Sequence, residues 1–149
     1  MFKPLTPNFW RAPTDNDFGN YMHDWAAVWE QAGRNRNLIS LESLSDTGSV
    51  KAMYGFSDDE GNKLGAWTAI YTIGSDGSIS VDNHFERLDN LPVLPRVGMN
   101  VELVNHIDNV SWFGRGPFEN YSDRKLAANI GRYSNKVADH YVPYLRPQE

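Results

Sequence analysis

Apolar residues recur at helical spacing in one place near the start of the chain. Between Asn20 and Gly33, the residues Met22, Trp25, Ala26, Val28, Trp29 and Ala32 fall close to the i, i+3, i+4, i+7 positions that share one helical face. The spacing predicts an amphipathic helix, with Asn20 able to cap it and Gly33 able to end it. Beyond it the period changes to two. Leu38–Leu44, Val50–Phe56, Leu64–Ile73, Ser78–Arg87 and Arg96–Val104 alternate or run rich in β-formers, which predicts strands. The segments between them (45–48, 57–62, 74–77 and 88–92) are rich in Gly, Asn and Asp, which tolerate turn dihedrals. Connections this short favour an antiparallel meander.

The last third breaks the pattern. Residues 112–124 mix glycines, aromatics and charges without a period, which predicts a long irregular loop of the kind that often carries function. Leu126–Tyr133 could form one more strand. With no repeat, low-complexity tract or linker, a single domain over residues 1–149 is expected. The run from Tyr141 to Glu149 has neither a turn nor a polar tail, so a domain cut short at its C-terminal end is expected.

Composition narrows the chemistry. The chain has 149 residues, 40% of them hydrophobic, enough for an ordinary core without a metal or disulfide. Zero cysteines exclude disulfides, thiolate zinc sites and a cysteine nucleophile. The formal charge of -5, with basic residues scattered singly among acids, argues against a nucleic-acid partner. No apolar run approaches the roughly 18 residues of a membrane helix, and Met1–Leu5 lacks the apolar core of a signal peptide. A soluble protein without membrane contact is the expectation.

Glycoside hydrolysis needs two carboxyls facing one sugar, and Asp15, Asp17, Glu119 and Asp123 are the candidates. Each has a simpler role. Asp15-Asn16-Asp17 follows Pro13-Thr14 and suits a tight turn whose side chains accept from backbone amides. Glu119 and Asp123 lie near Arg115 and Arg124 and suit an ion-pair network that holds the loop. No metal site is expected: Asp15-x-Asp17-x-Gly19 fails the calcium-loop spacing, and His23, His84, His106 and His140 are scattered. No Gly-x-Ser-x-Gly elbow is present. Large rigid aromatics can stack on sugar rings. Trp10 and Trp112 adjoin the proline- and glycine-rich motifs and are the better candidates for that use, whereas Trp25 and Trp29 read as core and Trp67 is ambiguous.

Two segments carry more than composition. Pro7-Asn8-Phe9-Trp10-Arg11-Ala12-Pro13-Thr14-Asp15-Asn16-Asp17-Phe18-Gly19-Asn20, and Trp112-Phe113-Gly114-Arg115-Gly116-Pro117 through Glu119-Asn120-Tyr121-Ser122-Asp123-Arg124 to Pro143-Tyr144, resemble the C-terminal, small-chain domain of β-galactosidases of glycoside hydrolase family 2. Arg146-Pro147-Gln148-Glu149 looks like the start of that family's Pro-Gln-Glu-Asn-Gly motif.

The resemblance implies an all-β fold. The expected architecture is the first half of an antiparallel supersandwich similar to galactose mutarotase, with one short N-terminal helix. It also implies a multidomain parent whose catalytic glutamates lie on a separate barrel, so no catalytic residue is expected here. The parent's Mg and Na ions would sit in other domains, and this chain would need no cofactor. Arg11, Asp15, Asn16, Asp17 and Gly19 match the segment that leads into a mobile loop at the substrate cleft, with Gly19 as its hinge. The loop before the helix is short, since Trp25 follows Gly19 by six positions.

The implied partners are the remaining domains of the parent and, through it, a galactoside. A bacterial cytoplasm or periplasm is the expected location. One alternative is a carbohydrate-binding module that contacts sugar through Trp10, Trp112 and Arg115, and another is a purely structural or assembly domain. Glu119, Asn120, Asp123 and Arg124 are the candidates for a network that holds the loop. Half a sandwich leaves sheet edges and an apolar face uncovered, so self-association is expected.

Overall fold

The computed structural model describes the backbone of residues 3–120 and 125–141, with side chains from Leu5 onward. It is an all-β, antiparallel sandwich fragment with short helical pieces near its start. The order is β1 (Lys3–Asn8), α1 (Asp15–Gly19), α2 (Met22–Trp25), then β2 (Arg36–Leu44), β3 (Ser49–Ser57), β4 (Lys63–Ile73) and β5 (Ile79–Arg87). β6 (Gly98–Glu102), β7 (Asn109–Gly116) and β8 (Asn129–Lys136) follow. β1 pairs with β6, β2–β5 form one sheet in sequence order, and β7 pairs with β8. No helix among the described residues is long and apolar enough to cross a membrane.

The described chain divides into two compact units, residues 5–100 and residues 3–4 with 101–141. In the first, the four-stranded meander matches the period-two segments of the sequence to within a few residues. Its registers place Phe56, Trp67 and Phe85 on one face, with Gly65 opposite Phe56 and Trp67 between Tyr54 and Phe85. A bulge at the end of β3 sets Phe56 against Gly65 and Ser57 against Lys63, leaving Leu64 as the extra residue. Leu64 is buried in the same core.

Phe9 fills the centre of that core. Its ring lies 5.8 Å from Trp29, 5.1 Å from Phe56, 5.8 Å from Trp67 and 4.7 Å from Phe85, mostly in tilted or edge-on arrangements that suit aromatic quadrupoles. Burying such a ring contributes about 1.5–3 kcal/mol. The two buried indoles keep their N–H groups bonded, Trp29 to the Pro92 carbonyl at 3.1 Å and Trp67 to Asn83 Oδ1 at 2.9 Å.

The predicted helix over Asn20–Gly33 is not continuous. Tyr21 adopts a left-handed conformation (φ 59°) between α1 and α2, and Ala27–Trp29 form a 3-10 turn. Met22, Ala26, Trp29 and Ala32 are nevertheless all buried, so the three- and four-residue spacing reported the inward face correctly while missing the breaks. The first cap is Thr14, not Asn20, which instead closes α1 at its C-terminal end. Trp25, read as core, is 38% exposed and donates its indole N–H to the Asn20 carbonyl at 3.1 Å. Trp67 resolves as core.

In the second unit the segment 112–124, expected to be an irregular loop, begins as a strand. Its first five residues, Trp112–Gly116, belong to β7, which pairs antiparallel with β8 from Asn109↔Lys136 to Gly116↔Asn129. Glycines at 114, 116 and 131 hid this strand from a search for alternating apolar residues. β8 starts three residues later than the Leu126–Tyr133 segment, because Lys125–Ala127 form a 3-10 turn.

Candidate functional site

Arg11, Thr14 and Asp17 form a local network at the start of α1. Thr14 is the N-cap of α1: its hydroxyl accepts from Asp17 N at 3.2 Å while Asp17 Oδ2 accepts from Thr14 N at 3.0 Å, a reciprocal capping box. Arg11 Nη2 then donates to Asp17 Oδ1 at 2.9 Å and lies 2.9 Å from Oδ2. Asp17 is 6% exposed, and a buried carboxylate is stable only with partners of this kind. Asp15 and Asn16 are exposed on the same helix. The acid at position 17 is thus a structural cap, as its turn-like setting in the sequence suggested. Gly19 ends α1 with open space around its Cα and without a left-handed φ.

Trp10 is half-buried and packs against the aromatic core of the first unit. In the second unit, four of the sequence candidates line a single open cavity of about 510 Å³: Trp112, Arg115, Glu119 and Asn120. Pro117, Phe118, Asn135, Asp139 and His140 complete it. Trp112 donates its indole N–H to the Arg115 carbonyl at 2.9 Å, and the His140 ring lies 5.4 Å from the indole. Among the described residues Arg115 has no carboxylate partner. Its Nη1 donates to the carbonyls of Lys125 and Ala128, both at 2.8 Å, tying the start of β8 to the end of β7. Among the described residues these two bonds, to carbonyls, are what Arg115 makes at the place where an ion-pair network was expected. Asp123 and Arg124, the other candidates of that network, lie outside the described residues, as do Tyr121, Pro143, Tyr144 and the Arg146–Glu149 motif.

Asn135 and Asp139 carry no signal of their own in the sequence, where His140 stands only as one of four scattered histidines. The signal was the strand pairing: with β7 recognised, Val110 and Trp112 fall opposite Asn135 and Tyr133, so Asn135 shares the indole's face. Among the described residues no three His, Cys, Asp or Glu side chains converge as metal ligands.

The comparisons with known proteins agree along the whole length. The family model of the β-galactosidase small chain matches residues 1–149. A β-galactosidase of Priestia megaterium (strain DSM 319 / IMG 1521) is 34% identical over 143 residues, covering 96% of this chain and 14% of its own length. One from Pseudoalteromonas haloplanktis is 36% identical over 157 residues, covering 98% of this chain and 15% of its own. One from Vibrio cholerae serotype O1 is 34% identical over 159 residues, covering 100% and 16%. The chain therefore spans about one-seventh of the length of these relatives. A match that runs from the capping segment through the meander to the β7–β8 hairpin makes this chain a member of the β-galactosidase small-chain family.

Proposed function

We propose that this chain is a non-catalytic region of a β-galactosidase, shaping one wall of the substrate cleft while a carboxylate pair in another domain hydrolyses terminal β-galactosides with retention. The observation that carries this reading is the state of Asp17. It is the one buried carboxylate among the described residues, and Arg11 and Thr14 occupy both of its oxygens. An acid held by an arginine and a helix cap serves structure; hydrolysis asks for a carboxyl turned toward a sugar. Arg11, Asp15, Asn16, Asp17 and Gly19 then act by fixing the shape of the segment at the cleft. Any Mg or Na ion the parent uses belongs to its other domains. The test is hydrolysis of a nitrophenyl-β-galactoside by the purified chain, with a host lacking its own β-galactosidase. No turnover is expected, and turnover abolished by Glu119→Gln would overturn the reading.

An assembly role for the same chain rests on a second observation. The face that buries Phe56 and Trp67 continues past the core into Leu38, Leu41, Val50, Ile73 and Ile79, all exposed. β2 is also an edge strand. For the chain alone, the partner is a second copy meeting it along β2.

A further inference from the structure

β5 breaks its own alternation at one position. The residues it sets on the face of Trp67 are Ile79, Val81, Asn83 and Phe85, and the amide at position 83 stands opposite Ala69, where an apolar side chain would continue the pattern. The Trp67 indole N–H can only donate, and it donates to Asn83 Oδ1 at 2.9 Å, which fixes the way the amide points. Asn83 Nδ2 is thereby turned to Met99 and donates to its sulfur at 3.2 Å. Met99 is half-buried and packs against the core cluster that contains Trp67. An indole of the core, an amide and a thioether thus form one chain of hydrogen bonds, whose middle member is exposed.

A thioether is a weak acceptor, and packing alone asks for no donor beside it. The donor gains a use when the sulfur gains an oxygen. In the reaction with a hydroperoxide, a sulfur lone pair attacks the terminal peroxide oxygen and the O–O bond breaks. The proton on the transferred oxygen passes to the departing one, which leaves as water when the oxidant is hydrogen peroxide. Sulfur is oxidised by two electrons and the peroxide is reduced by two, giving methionine sulfoxide. The N–H bond from Asn83 engages one lone pair and leaves the other to react. A sulfoxide oxygen is a strong acceptor that costs free energy in a half-buried place unless it is paired, and the two N–H groups of the Asn83 amide stand there to pair it. Hydrogen bonds in a chain polarise one another, so a stronger pull on Nδ2 makes Oδ1 a better acceptor for Trp67. Met22, 2% exposed in the same core, is closed to the oxidant.

We propose that Met99 is a site of reversible oxidation by hydroperoxides, its sulfoxide held by the Asn83 amide and reported through that amide to Trp67 in the core. The proposal is independent of the non-catalytic reading above, since it concerns a modification of this chain and no glycoside. Its test is graded hydrogen peroxide treatment of the folded 149-residue chain, with peptide mass mapping and the indole N–H resonances followed together. Met99 should gain one oxygen at least about tenfold faster than Met22. The Trp67 indole proton should shift downfield in step with Met99 and return when the two methionine sulfoxide reductases restore the thioether. Met53→Leu removes the other half-buried methionine among the described residues and should leave that shift unchanged. Asn83→Asp keeps an acceptor for Trp67 and removes the donor to the sulfur, so oxidation of Met99 in that variant should leave the Trp67 resonance where it was. Met22 oxidised as fast as Met99, a Trp67 resonance unmoved by Met99 oxidation, or a shift that persists in Asn83→Asp or vanishes in Met53→Leu would each overturn it.

Discussion

Arg11 Nη2 lies 2.9 Å from each carboxylate oxygen of Asp17, while Thr14 bonds one of them through both its N–H and its hydroxyl. Removing Asp17 takes away the ion pair with Arg11 and the helix cap together. Asp17→Ala should lower stability by about 3 kcal/mol. Asn16→Ala, one position away on the exposed side, should change it by less than about 0.5 kcal/mol. Urea denaturation of the two variants decides it: equal midpoints would mean the network holds nothing together.

Two glycines in the same stretch should answer oppositely to alanine. At Gly33 an added Cβ would sit 2.2 Å from the Pro7 carbonyl oxygen, a main-chain atom that cannot swing away. Gly33→Ala should therefore destabilise by about 1–3 kcal/mol, as overpacking does. At Gly19 nothing lies within 4 Å and φ is not left-handed, so Gly19→Ala should be neutral or stabilise by up to about 1 kcal/mol. Melting temperatures that fall for both would contradict the open space seen around Gly19.

The turn between β3 and β4 is pH-sensitive at its acid end. The Asn62 side-chain amide holds the Asp58 carboxyl below its ordinary range, against a desolvation that outweighs any one of the assisting backbone N–H groups of Asn62, Glu60 and Gly61. A carboxyl with a depressed folded-state pKa stabilises above its ordinary value and loses that contribution as pH falls through the lower folded value. The turn should thus be unchanged at neutral pH and loosen only below about pH 4. A carbon-detected titration of Asp58 should show a midpoint below the peptide value, and Asn62→Ala should move it back up. A midpoint unmoved by Asn62→Ala would refute the assignment.

How much of this was legible in the sequence depended on which signal each residue left. A period of two and a wealth of β-formers located β2–β5: on β3 Ala52, Tyr54 and Phe56 share one face, and on β4 Trp67 and Ala69 face inward on either side of Thr68. The helical spacing of Met22, Ala26 and Trp29 revealed burial but not continuity, since Tyr21 in a left-handed conformation leaves no mark on an apolar pattern. β7 was missed because Gly114 and Gly116 stand where apolar residues would otherwise signal a buried face, and Gly116 is there to admit Trp112 and Tyr133. Asp17 could be read as a cap from Thr14 three residues earlier, a local relation. Asn135 and His140 reach the Trp112 cavity only through the β7–β8 register, which no local pattern encodes.

That same register logic bears on assembly. On β2, Leu38 pairs with Tyr54 and Leu41 with Ala52, so both leucines share the face that buries the aromatic core, yet they are 54% and 64% exposed. Val50, Ile73 and Ile79 extend the patch across three more strands. An edge strand that offers unpaired backbone groups beside an apolar face lowers its free energy by meeting another copy of itself. The chain should therefore sediment with a mass that rises with concentration, and Leu41→Lys should shift it toward monomer by placing a charge at the edge. Leu41 is solvent-facing, so the substitution leaves the Phe9 core intact and the folded signal unchanged. A wild-type chain that stays monomeric at high concentration would end the assembly reading.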